Sequence, residues 1–442
     1  MLMSKFSKKT FLHSWHTAHH ANMASFGGYD MPLWYGSAKT EHLAVLTAAG
    51  LFDTSHMAVV AVKGPDSFEL LQYCFTNDLS ACVGSRKRPL SPGRCVYGAF
   101  LTEQGKVVDD TIIFELEENN YLAVVNAGMG GRVVQHLTAY KGDREIKITD
   151  LTDQIGKIDL QGPMSGRIMK EVLAKPDVVL ENMPYFSFKG HYQSNPSSAE
   201  TVLLTDSTPI LLSRTGYTGE FGFEILLNPL HLVKVWEMLL ESGEEFGLIP
   251  CGLAARDSLR AGAVLPLSHQ DIGAWPFINH PWHFALPFSS DETHFTKKFI
   301  GAKSILNIHQ PEYTYPVVGD NVCKVSSPEN SLVLDSDENA IGSVLTCVTD
   351  MGIGRHQDKI YSIASLGKPT DFTPHGLCCG FVKVNKNLET GQTLFLQDNR
   401  RTIRVRVVKD IRPDRTARHP IGEMLTYRCR GKVIKQTGKV NP

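Results

Sequence analysis

Apolar positions along this chain alternate between a spacing of three to four and a spacing of two, the signature of helices and strands taken in turn. Leu43, Leu46 and Ala49 recur at helical spacing and predict a helix over residues 40–49, ended by Gly50. GLFDTSHM then leads into a strand, VVAVKGP. From Asp66 a helix follows in which Phe68, Leu71 and Phe75 share a face and Pro65 stands at the start. The same order returns at KIDLQGP: a strand, Gly162-Pro163 in place of Gly64-Pro65, then a helix with Ile168, Met169, Val172 and Leu173 apolar. Two related α+β units are the inference. Between them VVDDTIIFEL and YLAVVNA read as paired strands joined by the polar turn EENN.

Further helices are expected over residues 230–240, burying Leu232, Val235, Trp236 and Leu239, and over LAARDSLRAG, ending at Gly262. Beyond about residue 290 the texture changes to short runs such as LVLD, IGSVLTCV, LCCGFVKV, TLFLQD and TIRVRVV, which predict a β-rich C-terminal domain. Residues 350–374 lack periodicity and read as a long loop or insertion.

At 442 residues and 42% hydrophobic content the chain has material for two or three ordinary cores, which excludes disordered and fibrous classes. Lys plus Arg number 45 against 46 Asp plus Glu, a net charge of -1, so no whole-molecule field draws it to nucleic acid or membrane. Nine cysteines, scattered and without a C-x-x-C pair, suit a reducing compartment better than a disulfide framework or a zinc site. The N-terminus has no apolar signal region and no apolar run reaches about 18 residues. The expectation is a cytoplasmic protein that does not span a membrane.

Three segments carry candidate chemistry. In VVDDTII two carboxylates interrupt an apolar strand, and because side chains alternate, Asp109 and Asp110 face opposite sides. If one face is buried, one aspartate sits in a pocket, where it can accept a hydrogen bond from a reacting amine or hold a developing cation. The pattern does not choose between the two, and a turn fixed by strand-end aspartates is the plainer reading of the dipeptide alone. In RTGYTGEFGFEI, Glu224 follows glycines and aromatics that can approach a flat heterocycle with adjacent N–H donors. A glycine-rich hairpin with a surface Glu is the plainer reading of this segment alone. GLAARDSLRAG sets Arg256 and Arg260 on one helical face, a spacing able to clamp a carboxylate or phosphate, although solvated arginines are common there.

Together with WHTAHHANMASFGGYDMPLWYGSAKTEHLAVLTAAGLFDTSHM, FTNDL, GRCVYGAFLTEQGKVVDD and LQGP, these segments resemble the T-protein of the glycine cleavage system and its relatives, from about residue 12 to about residue 265. The D-x-S-H-M and Y-T-G-E-x-G-x-E-I runs are the most specific. The resemblance implies an α+β fold, a three-domain clover-leaf around a central folate site. Its first domain would comprise residues 1–54 and 149–288, its second residues 55–148, and its β-rich C-terminal domain residues 289–442. It further implies an aminomethyltransferase that takes an aminomethyl group from the lipoyl arm of a carrier, the H-protein, forms methylenetetrahydrofolate and releases ammonia. By matching position, Asp109 becomes the catalytic carboxylate and Glu224 the pterin ligand. Arg256 joins the folate site, and Met57, Tyr97, Asn126 and Trp282 line its pocket.

Departures from the family pattern concentrate in LRAGAVLPLSHQDIGAWPFINHPWHFALP, which loses acidic residues usual there. That reshaped segment makes Trp282 and His280 the expected selectors of the one-carbon donor. The alternative it leaves is a folate-dependent demethylase or methyltransferase acting on another N-, O- or S-methyl donor. The K-G-C-x-x-G-Q-E signature of folate-binding relatives that assist iron-sulfur proteins is absent.

Weaker signals change little. His13, His16, His19 and His20 can share a helical face as metal ligands do, but no Cys or carboxylate completes the set, and no metal is expected. Residues 400–442 hold 13 Arg or Lys against 3 Asp or Glu. Within them RTIRVRVV alternates as a half-exposed strand should and lacks interleaved aromatics, so a basic face able to meet folate glutamates or an acidic carrier is expected, and no nucleic-acid partner.

Overall fold

The computed structural model describes residues 7–193, 201–326 and 330–427. Three β-systems organise them. A seven-stranded sheet runs in the order Phe188–Gly190, Pro209–Ser213, Gly222–Leu227, Gly156–Gln161, Ala49–Asp53, Leu248–Pro250, with Val202–Leu203 added beside Pro209–Ser213. A five-stranded antiparallel sheet runs Arg94–Leu101, Val107–Glu117, Asn120–Val125, Ala58–Lys63, Lys147–Asp150. Six strands between Tyr313 and Val407 close into a barrel. With the helices this is an α+β, multi-domain architecture whose last unit is β-rich, as expected.

The strand Gly156–Gln161 lies at the middle of the first sheet and is buried along its whole length. Its apolar residues Ile158 and Leu160 join Ile168, Met169, Val235 and Trp236 of the helices Ser165–Val172 and Leu232–Gly243 in one core. By alternation Lys157, Asp159 and Gln161 face the other side, and they too are buried. Such a face requires partners for every charge, and supplying them shapes the site.

The recurring strand, Gly-Pro, helix unit is real in three dimensions. Gly64 and Gly162 turn the chain at φ +140 and +124 into the helices Ser67–Cys74 and Ser165–Val172. A Cβ at these positions would meet the carbonyl oxygens of Glu145 and Ala48 at 2.2 and 2.6 Å, so only glycine fits.

Other expectations are corrected. The first long helix is Ala38–Thr47, capped by Ser37, whose Oγ accepts from the Thr40 amide at 3.1 Å. Gly50 does not end it. It lies inside the strand Ala49–Asp53, packed against Val45 and Cys251. The supposed loop 350–374 contains a hairpin, Ile353–His356 with Lys359–Ser362. His13 and His16 serve the fold, their Nε2 atoms meeting Asp30 and Asp53 carboxylates at 2.8 and 3.0 Å. Of the basic tail, residues 428–442 lie outside the described residues. Among the described residues no helix is long and apolar enough to cross a membrane.

Candidate active site

A cavity of about 2020 Å³ opens where the two sheets, the helix Leu253–Gly262, the barrel and the segment after it meet. Its floor is the polar face of the first sheet. Glu224 stands opposite Asp159 across antiparallel strands. Lys157 Nζ donates to Asp159 Oδ1 at 2.5 Å and to Glu224 Oε1 at 2.8 Å. Arg256 Nη1 donates to Asp159 Oδ2 at 2.7 Å, and Thr215 Oγ1 to Glu224 Oε2 at 2.5 Å. Burial alone would push the Asp159 carboxyl up, but the Lys157 ammonium and then the Arg256 guanidinium outweigh it and hold the group down at about 2. The Arg256 guanidinium also lies 4.9 Å from the centre of the Tyr217 ring.

The wall comes from the strand Val107–Glu117 of the second sheet. Asp110 lines the cavity. Tyr97 OH donates to Asp110 Oδ2 at 2.8 Å, and Asn126 Nδ2 donates both to Asp110 Oδ1 at 2.8 Å and to Asp109 Oδ1 at 2.9 Å. Burial first, and then the neighbouring Asp109 charge, push the Asp110 carboxyl up to about 6. Asp109 is fully buried one step behind the wall and accepts from the Asn126 amide at 2.8 Å and from Ser268 Oγ at 3.0 Å. Met57, Ile112, Val124 and Phe284 give the cavity an apolar side. A carboxyl poised near neutrality between a phenol and an amide can accept a hydrogen bond from a nitrogen nucleophile and take its proton.

A family model described as the GCVT N-terminal domain matches residues 12–275, more than half of the chain. The aminomethyltransferase of Bacillus pumilus (strain SAFR-032) is 36% identical over 326 residues, 74% of this chain and 82% of that protein. The chain belongs to the aminomethyltransferase family. The aminomethyltransferase of Bacillus cytotoxicus (strain DSM 22905 / CIP 110041 / 391-98 / NVH 391-98) is 41% identical over 248 residues, 56% of this chain and 61% of its own length. In three dimensions the chain resembles the crystal structure of the glycine cleavage system aminomethyltransferase T from Bartonella henselae, with a TM-score of 0.69 at 26% identity over 91% of this chain and 96% of that one.

In this aminomethyltransferase-family chain Glu224, Arg256, Tyr97, Asn126 and Met57 line one cavity. Trp282 does not join them. It is fully buried, its Nε1 donates to the Val264 carbonyl at 2.9 Å, and its ring packs 5.4 Å from that of Phe381. His280 is buried beside it. Phe284, 55% exposed and 5.7 Å from the Tyr97 ring, is the aromatic that this segment turns toward the cavity.

The resemblance points to Asp109; the strand sets Asp110 on the cavity lining and buries Asp109 directly behind it, against the lining residues Asn126 and Ser268. Arg256 and Arg260 do not clamp a single anion. Arg260 is buried against Asp271, Asp257 and Thr346. Lys157, Tyr217, Ser268 and His269 also line the cavity without having been singled out. The polar-apolar alternation of K-I-D-L-Q signals Lys157, but Ser268 and His269 lie in a loop with no periodicity to betray them.

Proposed function

We propose that this chain transfers the methylene carbon of an aminomethyl group, carried on the lipoyl arm of an H-protein, to tetrahydrofolate, with release of ammonia. The observation that carries the reading is the Asp110 carboxyl, raised to about 6 and held by Tyr97 and Asn126 on the cavity wall. The cavity volume also supports it. At about 2020 Å³ it exceeds the roughly 300–1,000 Å³ that a single small ligand occupies, leaving room for a folate and a partner's arm together. Glu224 suits the adjacent N–H donors of a pterin, with Arg256 and Lys157 fixing the floor and Met57 and Tyr217 offering faces to the ring. The three β-systems support a division into residues 1–54 with 149–288, 55–148, and 289–442.

In this reaction the donor's C–N and C–S bonds break and two C–N bonds to the folate form; in net balance the folate nitrogens lose two protons while ammonia and the freed thiol gain one each. Asp110 orients the attacking nitrogen and takes up its proton as positive charge builds. Asp109 holds Asn126 and Ser268 in place behind it.

The test mixes purified chain, tetrahydrofolate and aminomethylated lipoyl carrier, and follows methylenetetrahydrofolate and ammonia. In single turnover Asp110→Asn should slow the chemical step at least about 10²-fold with folate affinity retained. Asp109→Asn should lose stability instead, because its new amide would face the Asn126 donors. No product from the wild-type chain would defeat the proposal, and a larger chemical defect in folded Asp109→Asn would reverse the assignment of the two carboxylates.

A further inference from the structure

The loop after the helix Leu253–Gly262 is held from behind by charges in the core. Asp271, fully buried, pairs with Arg260 and accepts from the Leu267 amide at 3.0 Å and from Thr346 Oγ1 at 2.7 Å. Gln270 Nε2 also donates to Thr346 Oγ1 at 2.7 Å, so the loop is tied to the barrel strand Ala340–Asp350. At its tip His269 adopts φ +63, a left-handed turn uncommon for a residue with a side chain. That turn sets the His269 side chain on the cavity lining, 39% exposed, with Nε2 3.6 Å from Asp109 Oδ1. Next to it Ser268 Oγ donates to that same oxygen at 3.0 Å. A buried carboxylate, an imidazole and open cavity thus follow one another, the order in which proton-transferring imidazoles are oriented.

We infer that His269 is the proton donor to the departing amine. The inference rests on the function proposed above. Asp110 takes a proton from the nucleophile and cannot in the same event deliver one to the leaving group. As the donor's C–N bond breaks, its electron pair goes to the amine nitrogen. That nitrogen takes the proton from Nδ1 of the His269 imidazolium, the ring nitrogen away from Asp109, and leaves as ammonia. The neutral imidazole is reprotonated from solvent on its exposed side. The charged groups around the ring are Asp109 and, beyond Asn126, Asp110 on the strand Val107–Glu117, with the Asp271–Arg260 pair behind the loop.

The test uses the full chain carrying His269→Gln, with His269→Asn as a second replacement. Single-turnover transfer from the aminomethyl carrier should fall about 10²-fold, and millimolar imidazole should restore part of it. The pH–rate profile should lose one ionisation, while tetrahydrofolate affinity measured by calorimetry stays as in wild type. An unimpaired rate in both variants overturns the role. So does a fall in rate matched by a fall in folate affinity without imidazole rescue, since that describes a loop that merely shapes the cavity. A wild-type chain that forms no methylenetetrahydrofolate overturns the function itself and this role with it, whereas an active wild type with active variants overturns the role alone.

Discussion

Asp110 shows how one residue couples stability to function. Its carboxyl is raised to about 6 by burial and by Asp109, above the roughly 3.9 of an unfolded aspartate. Between these values the folded chain holds a proton that the unfolded chain has released. Asp110 therefore disfavours the fold increasingly as pH rises from about 4 to about 6, and the penalty persists above that range. Asp110→Asn, neutral throughout, should be more stable than wild type at pH 7.5 by about 1 to 2 kcal/mol and nearly equal to it at pH 4. The full shift would correspond to about 3 kcal/mol, reduced because the carboxyl reaches the water of the cavity. Urea unfolding at the two pH values measures the difference, and identical differences at both would remove the linkage. That one of the two aspartates would lie in a pocket was legible from alternation along VVDDTII. Which one was not, because both faces of that strand are covered.

The strand Gly156–Gln161 carries the electrostatics at the scale of an element. Asp159 is the acceptor shared by Lys157 and Arg256, and all three are largely removed from water. Removing the charge with Asp159→Asn leaves Arg256 without its carboxylate partner and Lys157 with Glu224 alone, a change expected to cost about 3 to 5 kcal/mol. Because the Asp159 carboxyl is held down at about 2, its contribution is present above about pH 4 and fades as pH falls toward 2. A thermal scan of the variant at pH 7 should show the loss, and an unchanged midpoint would mean that water already screens this floor. The strand, Gly-Pro, helix unit was readable because backbone sterics at Gly64 and Gly162 are local. The placement of Trp282 was not, because its indole answers to a carbonyl 18 residues away in the chain and to a barrel strand.

At the scale of the whole molecule, Arg412 joins the barrel end to the first sheet. Its buried guanidinium meets Asp350 at 2.5 Å, Glu220 at 3.2 Å and the carbonyls of Thr218 and Leu259. Asp350 in turn receives His42 Nε2 at 2.9 Å. Arg412→Ala leaves two buried carboxylates without their main cation and should destabilise by about 3 to 5 kcal/mol, read as a lower urea midpoint. A midpoint within error of wild type would show that apolar packing alone seats the barrel.

By itself the amino-acid sequence determined a helix near 230–240, observed as Leu232–Gly243, the helix of 253–262, the paired strands around Asp109 and Asp110, the β-rich last domain and the family. Those features follow from periodicity, backbone sterics and motifs contained in short stretches. Only the tertiary structure decided that Asp110 faces the cavity, that Trp282 is core, that Arg260 is occupied by Asp271, and that Ser268 and His269 stand beside Asp109. Each depends on which distant groups satisfy a buried charge or fill a buried volume, a choice made when the domains pack together.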